Sequence, residues 1–162
     1  MIQRMRRNHT REAYLELIAH MRDKIPGLAL SSDFICGFCD ETEQEFEDTL
    51  SLIEHVKYDM AFLFAYSMRE RTHAHRRMQD NVPEPVKKER LQRMIETFKR
   101  NQLIKQKQEI GKYHLVLIDG YGRLGETQHT GLTDTNKRAV FQAQEPTYKV
   151  GDLVAVKVVD AS

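Results

Sequence analysis

The sequence predicts an α/β fold followed by a small β-barrel, and three observations carry that prediction. Two apolar runs, Leu28 to Cys36 and Met60 to Tyr66, each follow a stretch of helical spacing. Helix, strand, helix and strand therefore alternate with short connections, as parallel βα units do. A long charged segment then reads as a helix, and beyond Gly111 short alternating runs lie between recurring glycines.

Tyr14, Leu17, Ile18 and Met21 recur at i, i+3, i+4 and i+7. They mark an amphipathic helix from Thr10 to Lys24, with Thr10 as N-cap and Pro26-Gly27 closing it. The strand Leu28 to Cys36 follows, with a sharp turn at Gly37. Thr42-Glu43-Gln44-Glu45 has the spacing of a capping box, in which the Thr hydroxyl accepts the Glu45 amide and the Glu45 carboxylate reaches back. Phe46, Leu50, Ile53 and Val56 mark the buried face of the helix it opens, which ends near Lys57. Met60 to Tyr66 is nearly all apolar, the pattern of a strand covered on both faces. Two strands cannot bury a parallel sheet alone, which points to a larger assembly. Ser67 to Pro85 is polar and basic. Lys87 to Glu109 is helical, with Leu91, Met94, Ile95 and Phe98 on one side and Gly111 ending it. Tyr113–Asp119 and Leu153–Val159 alternate like strands, and Gly120, Gly122, Gly125 and Gly131 are expected to supply turns of a small β-barrel.

Hydrophobic content of 40% and charged content of 30% fit a globular chain, and no apolar run is long enough to span a membrane. The arginine-rich start, Met1 to His9, resembles a transit peptide, but Glu12 and Glu16 come early and serines are missing. The net charge of +1 conceals a segregation. Leu30 to Asp59 holds nine acids against one Lys, whereas Met68 to Lys112 holds thirteen bases against six acids.

Three constellations bear chemistry. Cys36-Gly37-Phe38-Cys39 is a C-x-x-C at a strand-to-helix joint, where a thiol oxidoreductase places its dithiol. Against this, the helix is capped only at Thr42, and Asp40 and Glu41 raise a neighbouring thiol's pKa; two half-buried residues at a strand end are the simpler reading. A zinc site from Cys36, Cys39, His73 and His75 has suitable ligand types, but His-x-His is too tight for finger spacing. His73 and His75 are expected as exposed residues of a basic loop, and His20 and His55 as solvent-facing helix positions. Arg69, Arg71, Arg76, Arg77, Lys87, Lys88 and Arg90 are spaced to contact several phosphates, or to form a solvated face paired with Glu84, Glu89 and Glu96. Lys137-Arg138 beside Asn136, at a turn in the barrel region, adds weight to RNA.

Several segments in order resemble one family, the radical S-adenosylmethionine (SAM) tRNA methylthiotransferases. Met5-Arg6-Arg7-Asn8-His9-Thr10-Arg11-Glu12 is similar to their M-x-R-x-Y-T-R-E run, and Ser31 to Thr42 to their S-T-D-I-I-V-G-F-P-G-E-T. Phe46 to Leu50, Phe64 to Thr72, Asn81-Val82-Pro83, Glu89-Arg90-Leu91 and Gly131 to Arg138 match later signatures, the last in the RNA-binding TRAM barrel. Phe38-Cys39 and the Phe64 to Arg69 run look most like the eukaryotic mitochondrial branch, named for association with a cyclin-dependent kinase activator.

The resemblance implies the last βα units of an incomplete, TIM-like radical-SAM parallel barrel over 1–83, a linking helix over 84–110, and a truncated TRAM β-barrel over 111–162. It implies an enzyme that methylthiolates N6-isopentenyladenosine beside the anticodon of tRNA, using SAM and two 4Fe–4S clusters. The cluster-binding C-x-x-x-C-x-x-C is absent from these residues, so no metal ligand is expected here, and this chain alone is expected to be inactive. Arg7, Asp33, Ile35, Gly37 and Phe38 are implied on the SAM side, and Asn136, Lys137 and Arg138 on the RNA side. The implied partners are the tRNA anticodon stem-loop and, by the family's name, a kinase-activator protein. The implied location is mitochondrial, with the cytoplasm as alternative, and no membrane. An RNA- or partner-binding module without catalysis is the alternative function. Asp40 stands where the family has glycine, at a position that calls for positive φ, and Leu132 stands where the family has Arg.

Overall fold

The computed structural model describes residues 1–142 and 148–161. It divides into two compact units, Met1–Lys105 and Gln106–Ser162. The expected barrel region 111–162 includes 143–147 and Ser162, which lie outside the described residues.

The first unit begins with α1 (Arg11–Lys24), capped by the Thr10 hydroxyl, which accepts the Ala13 amide at 3.2 Å. β1 (Ser31–Cys36) starts later than expected. The reason lies in its partner: β2 (Met60–Ala65) pairs with it in parallel from Ser31↔Met60 to Cys36↔Ala65, so Leu28 and Ala29 have no strand beside them. Between the strands runs α2 (Glu43–Val56), with the capping box formed as read and Lys57 closing it in the left-handed region. A short helix that hydropathy did not signal, α3 (His73–Arg77), is capped by Thr72. α4 (Glu84–Lys107) begins earlier than expected, placing Pro85 in its first turn, where the missing N–H is no loss.

The core joins Phe34 and Cys36 of β1 to Ile18 of α1, Phe46, Ile53 and Val56 of α2, Tyr58, and Met94 of α4. Phe34 meets the Tyr58 ring edge-on at 5.2 Å. The three long helices thus pack on one face of the sheet. The other face, carrying Asp33 and Ile35 opposite Phe62 and Phe64, is not covered by this unit, and the two phenylalanines stay 53% and 51% exposed. The expectation of a strand covered on both faces is therefore corrected: the unit has helices for one face only.

The second unit is an antiparallel sheet in the order β5-β4-β3-β6. β3 (Tyr113–Gly122) and β6 (Leu153–Lys157) correspond to the two alternating runs. β4 (Gly125–Thr133) and β5 (Arg138–Gln142) were not legible as strands. Gly120 and Gly131 lie within strands rather than at turns, which corrects their expected role, whereas Gly122 and Gly125 pair across the two-residue turn 123–124. Gly131 is required by close approach: a Cβ there would sit 2.3 Å from the Leu117 carbonyl oxygen. Val116, Ile118 and Val154 form the small core. His129 is fully buried among Tyr121, Phe141 and Tyr148, an exception to the expectation of solvent-facing histidines.

Candidate functional site

The carboxyl end of β1 is held by a turn, 37–41, whose geometry follows from its residues. Gly37 takes a φ of 76° and Asp40 a φ of 60°. Asp is among the few side chains that tolerate this region, so the position that called for positive φ has it. Asp40 is further fixed by a reciprocal pair: its amide donates to Asn81 Oδ1 at 2.9 Å, and Asn81 Nδ2 donates to Asp40 Oδ1 at 2.6 Å.

Beneath the turn lies Glu41, whose side chain is wholly buried. Its Oε2 accepts the Gly37 amide at 2.5 Å and Arg90 Nη1 at 2.8 Å, and Arg90 Nη1 also donates to the Glu41 carbonyl at 3.1 Å. Burial raises the Glu41 carboxyl above its usual range, against the pull of the Gly37 amide and Arg90. Lys87, itself 1% exposed, packs its stem against Gly37, where a Cβ would lie 2.4 Å from Lys87 Cγ. Burial by itself would lower the Lys87 ammonium, but Asp80 and Glu84, each 2.8 Å away, hold it above its ordinary value.

These contacts correct the reading of Lys87 and Arg90 as phosphate ligands. Lys87 is held by Asp80 and Glu84 of its own block, and Arg90 belongs to a set of ion pairs that joins the acidic block to the basic one. Arg90 and Arg93 both meet Glu43, Arg93 also meets Glu47, Arg100 meets Glu54, and Lys105 meets Asp59 at 2.7 Å. Sequence reasoning gave Glu41 no structural role, and it missed the buried, ion-paired roles of Lys87 and Arg90. Their signal was spacing: the buried stripe of α4 is Lys87, Arg90, Met94, Thr97 and Asn101, a 3-4-3-4 repeat that hydropathy cannot see.

A cavity of about 500 Å³ lies along β1. It gathers Arg7, Asp33 and Ile35 with Tyr14, Phe34 and Tyr58. The segment before α1 reaches it because Arg4 bonds Glu45 at 2.6 Å and the Asp40 carbonyl at 3.1 Å. Gly37 and Phe38 are not among its lining residues; Phe38 is buried against the Tyr66 ring at 4.9 Å. The lining also includes Arg11, Glu45 and Asp48, so the cavity combines guanidinium groups, carboxylates and apolar or aromatic walls, a mixture that holds a small polar molecule with a flat apolar part.

Both thiols are unpaired and fully buried. Cys36 Sγ donates to the Phe64 and Lys87 carbonyls at 3.6 Å, and burial, then Glu41, push its pKa up to about 11. A dithiol catalyst needs an accessible thiolate, so Cys36 reads as a core residue. No cluster of metal-ligating side chains occurs among the described residues; His73 and His75 are exposed on α3, while both sulfurs lie in the core.

In the second unit, Asn136 takes a φ of 58° in the tight turn between β4 and β5. The turn closes through Thr133, whose amide donates to the Lys137 carbonyl at 2.9 Å. Arg138 makes a two-point pair with Asp119 at 3.2 and 3.0 Å, and Lys137 Nζ lies 3.8 Å from Glu109. All three expected RNA residues are therefore together at one turn, with the two cations partly engaged.

No family model matches the chain. Curated relatives do, over nearly all of it. A CDK5RAP1-like protein of Oryza sativa is 45% identical over 99% of the chain and 29% of its own length. The mitochondrial tRNA methylthiotransferase CDK5RAP1 of Homo sapiens is 43% identical over 99% of the chain and 28% of its own length. The tRNA-2-methylthio-N(6)-dimethylallyladenosine synthase of Porphyromonas gingivalis is 44% identical over 100% of the chain and 35% of its own length. The chain spans about a third of the length of the curated relatives it matches.

Proposed function

We propose, on the premise that the chain belongs to the tRNA methylthiotransferase family, that it supplies SAM-facing strands and an RNA-facing sheet to an enzyme that methylthiolates N6-isopentenyladenosine beside the anticodon. In this reading β1, α2 and β2 are the last βα units of a TIM-like barrel over 1–83. α4 is the linking helix, and the antiparallel sheet is part of a TRAM barrel. The human relative is named a mitochondrial enzyme, which supports a mitochondrial setting, and a kinase-activator partner is implied only by the name CDK5RAP1.

The observation that carries the reading is the cavity that brings Arg7, Asp33 and Ile35 together at β1. Its size suits a nucleoside. Ile35 offers an apolar wall for a base, Asp33 accepts hydrogen bonds from hydroxyl or amino groups, and Arg7 meets a carboxylate. Gly37 and Phe38 act from behind by fixing the strand end. SAM, when bound, would supply the radical chemistry; these residues bind and orient it. The side chains present do not fit an iron–sulfur cluster, because such a cluster needs several convergent thiolates and Cys36 and Cys39 are core residues. The clusters are therefore assigned to parts of the enzyme beyond the matched third.

A chimera tests this. This chain would replace the matching residues of the P. gingivalis synthase in a bacterium lacking its own enzyme, and tRNA nucleosides would be measured by mass spectrometry. The chimera is expected to restore 2-methylthio-N6-dimethylallyladenosine, and Asp33→Ala within it to abolish the product. A folded chimera that leaves the adenosine unthiolated, or an Asp33→Ala form as active as its parent, would overturn the assignment.

A further inference from the structure

We propose that residues 67–80 form a cationic arch at the carboxyl end of the β1–β2 sheet, whose arginines grip the phosphodiester backbone of RNA. The inference rests on the RNA-modifying reading above and adds a contact in the first unit to the one read at 136–138 in the second.

Both feet of the arch stand on the 37–41 turn. At one foot, the Tyr66 amide donates to the Cys36 carbonyl at 2.8 Å and the Tyr66 ring meets Phe38 at 4.9 Å. At the other, Asn81 makes its reciprocal pair with Asp40. Lys87 braces the span between them by bonding Asp80 at 2.8 Å and lying 5.7 Å over the Tyr66 ring. The carboxyl ends of parallel strands are where such folds meet their ligands.

The arch carries Arg69, Arg71, Arg76 and Arg77, all exposed, with His73 and His75 also exposed between them. The structure separates the arginines of the arch from the ion-paired bases of α4. Lys87, Arg90, Arg93, Arg100 and Lys105 are consumed by ion pairs with carboxylates. Among the described residues, the four arch arginines have no carboxylate partner, and the only polar contact of their guanidinium groups is Arg76 Nη2 to the Arg71 carbonyl at 3.0 Å. Of the two acids in the segment, Asp80 is already held by Lys87, and exposed Glu70 makes no ion pair among the described residues, which leaves four arginines against one unengaged carboxylate. A free row of guanidinium groups suits phosphate oxygens, which they bind in a two-point fashion. A protein partner fits less well, because its interface needs buried aromatic or aliphatic anchors, and the arch exposes none: Met68, Ala74 and Met78 are only half-buried.

The test is fluorescence anisotropy of the whole chain with a short labelled RNA stem-loop, titrated from about 50 to 200 mM salt, where phosphate contacts give a steep dependence. Arg69→Gln, Arg71→Gln and Arg77→Gln are combined, leaving Arg76 to hold the loop. At roughly 0.7 per single-strand phosphate contact, the slope of log K against log salt should fall by about 2. The matching Arg→Lys triple, which keeps the charge, should retain that slope. Lys137→Gln with Arg138→Gln serves as the comparison in the second unit. A Gln triple that binds and titrates like the parent chain overturns the arch while leaving the RNA reading intact, as does binding lost only in the 137/138 pair. If the parent chain binds no RNA at the lowest salt, both fall together. Polyglutamate that displaces the RNA from the parent chain but not from the Gln triple would assign the arch to an acidic protein and refute the RNA proposal.

Discussion

Arg90→Met removes one partner of a buried pair and is the sharpest test of how the strand-end turn is held. Arg90 is 5% exposed and its Nη1 lies 2.8 Å from a Glu41 carboxylate that is out of solvent. Without the guanidinium, the carboxylate keeps only the Gly37 amide. Breaking a buried pair from one side costs about 3 to 5 kcal/mol, mostly because the remaining charge is uncompensated. The loss has a pH signature whose sign is fixed by linkage. Burial already places the folded-state pKa of Glu41 above its usual value, and losing Arg90 raises it further. Folding then penalises the ionised form, so the part of the deficit that comes from the Glu41 charge is absent below the unfolded carboxyl pKa of about 4.3 and grows as pH rises through the folded value. Urea denaturation followed by helical circular dichroism reads this directly, since α1, α2 and α3 lie wholly, and α4 almost wholly, in the first unit. Adding Glu41→Gln to Arg90→Met should recover part of the loss, with a coupling of about 1 to 3 kcal/mol. A deficit below about 1 kcal/mol, typical of an exposed ion pair, or one that does not change between neutral and acid pH, would refute the account.

Gly37→Ala meets both a positive φ and the Lys87 stem, so a loss of about 2 to 4 kcal/mol is expected from backbone strain with overpacking; an unchanged denaturation midpoint would contradict it. Gly131→Ala forces a methyl onto the Leu117 carbonyl and should expose β3 and β4 amides to hydrogen exchange while those of α2 stay protected. With the Cys36 thiol at about 11 and both sulfurs buried, iodoacetamide at mildly alkaline pH should label neither cysteine until denaturant is added, as mass spectrometry would show. Glu45 is held down to about 2, chiefly by its bond to Arg4. Its contribution is complete above the ordinary Glu value and is lost as pH falls toward about 2; Arg4→Ala should flatten that acid limb of the stability profile.

What the sequence made legible were features written in local chemistry. The Thr10 and Thr42 caps and the parallel order of two βα units follow from side-chain type at a fixed spacing, while the positive φ at Asp40 came from the family resemblance. What stayed hidden depended on partners far along the chain. β4, with the sequence Gly125–Thr133, has no apolar alternation because Thr, Gln and Gly residues fill it, and it becomes a strand only by pairing with β3 and β5. Gly131 looks like a turn residue until Leu117 is placed against it.

The segregated charge shows the same limit and explains the site. Read linearly, the basic block offered either a row of phosphate contacts or a solvated, ion-paired helix face. Folding lays α4 along α2, and part of the two sets cancels internally, through Arg90, Arg93 and Arg100 on one side and Glu41, Glu43, Glu47 and Glu54 on the other. The buried stripe of α4 is polar at Lys87, Arg90, Thr97 and Asn101, so its fit depends on each polar group finding its partner, which buried polar groups require. That requirement fixes the register of α4 on α2 more narrowly than an apolar stripe would, since a shift by one turn would strand several buried charges. The same register sets Lys87 under Gly37 and Arg90 under Glu41, so the helix that neutralises the acidic block also shapes the end of β1. The arginines left outside this lock, on residues 67–80, are the ones free to meet a polyanion.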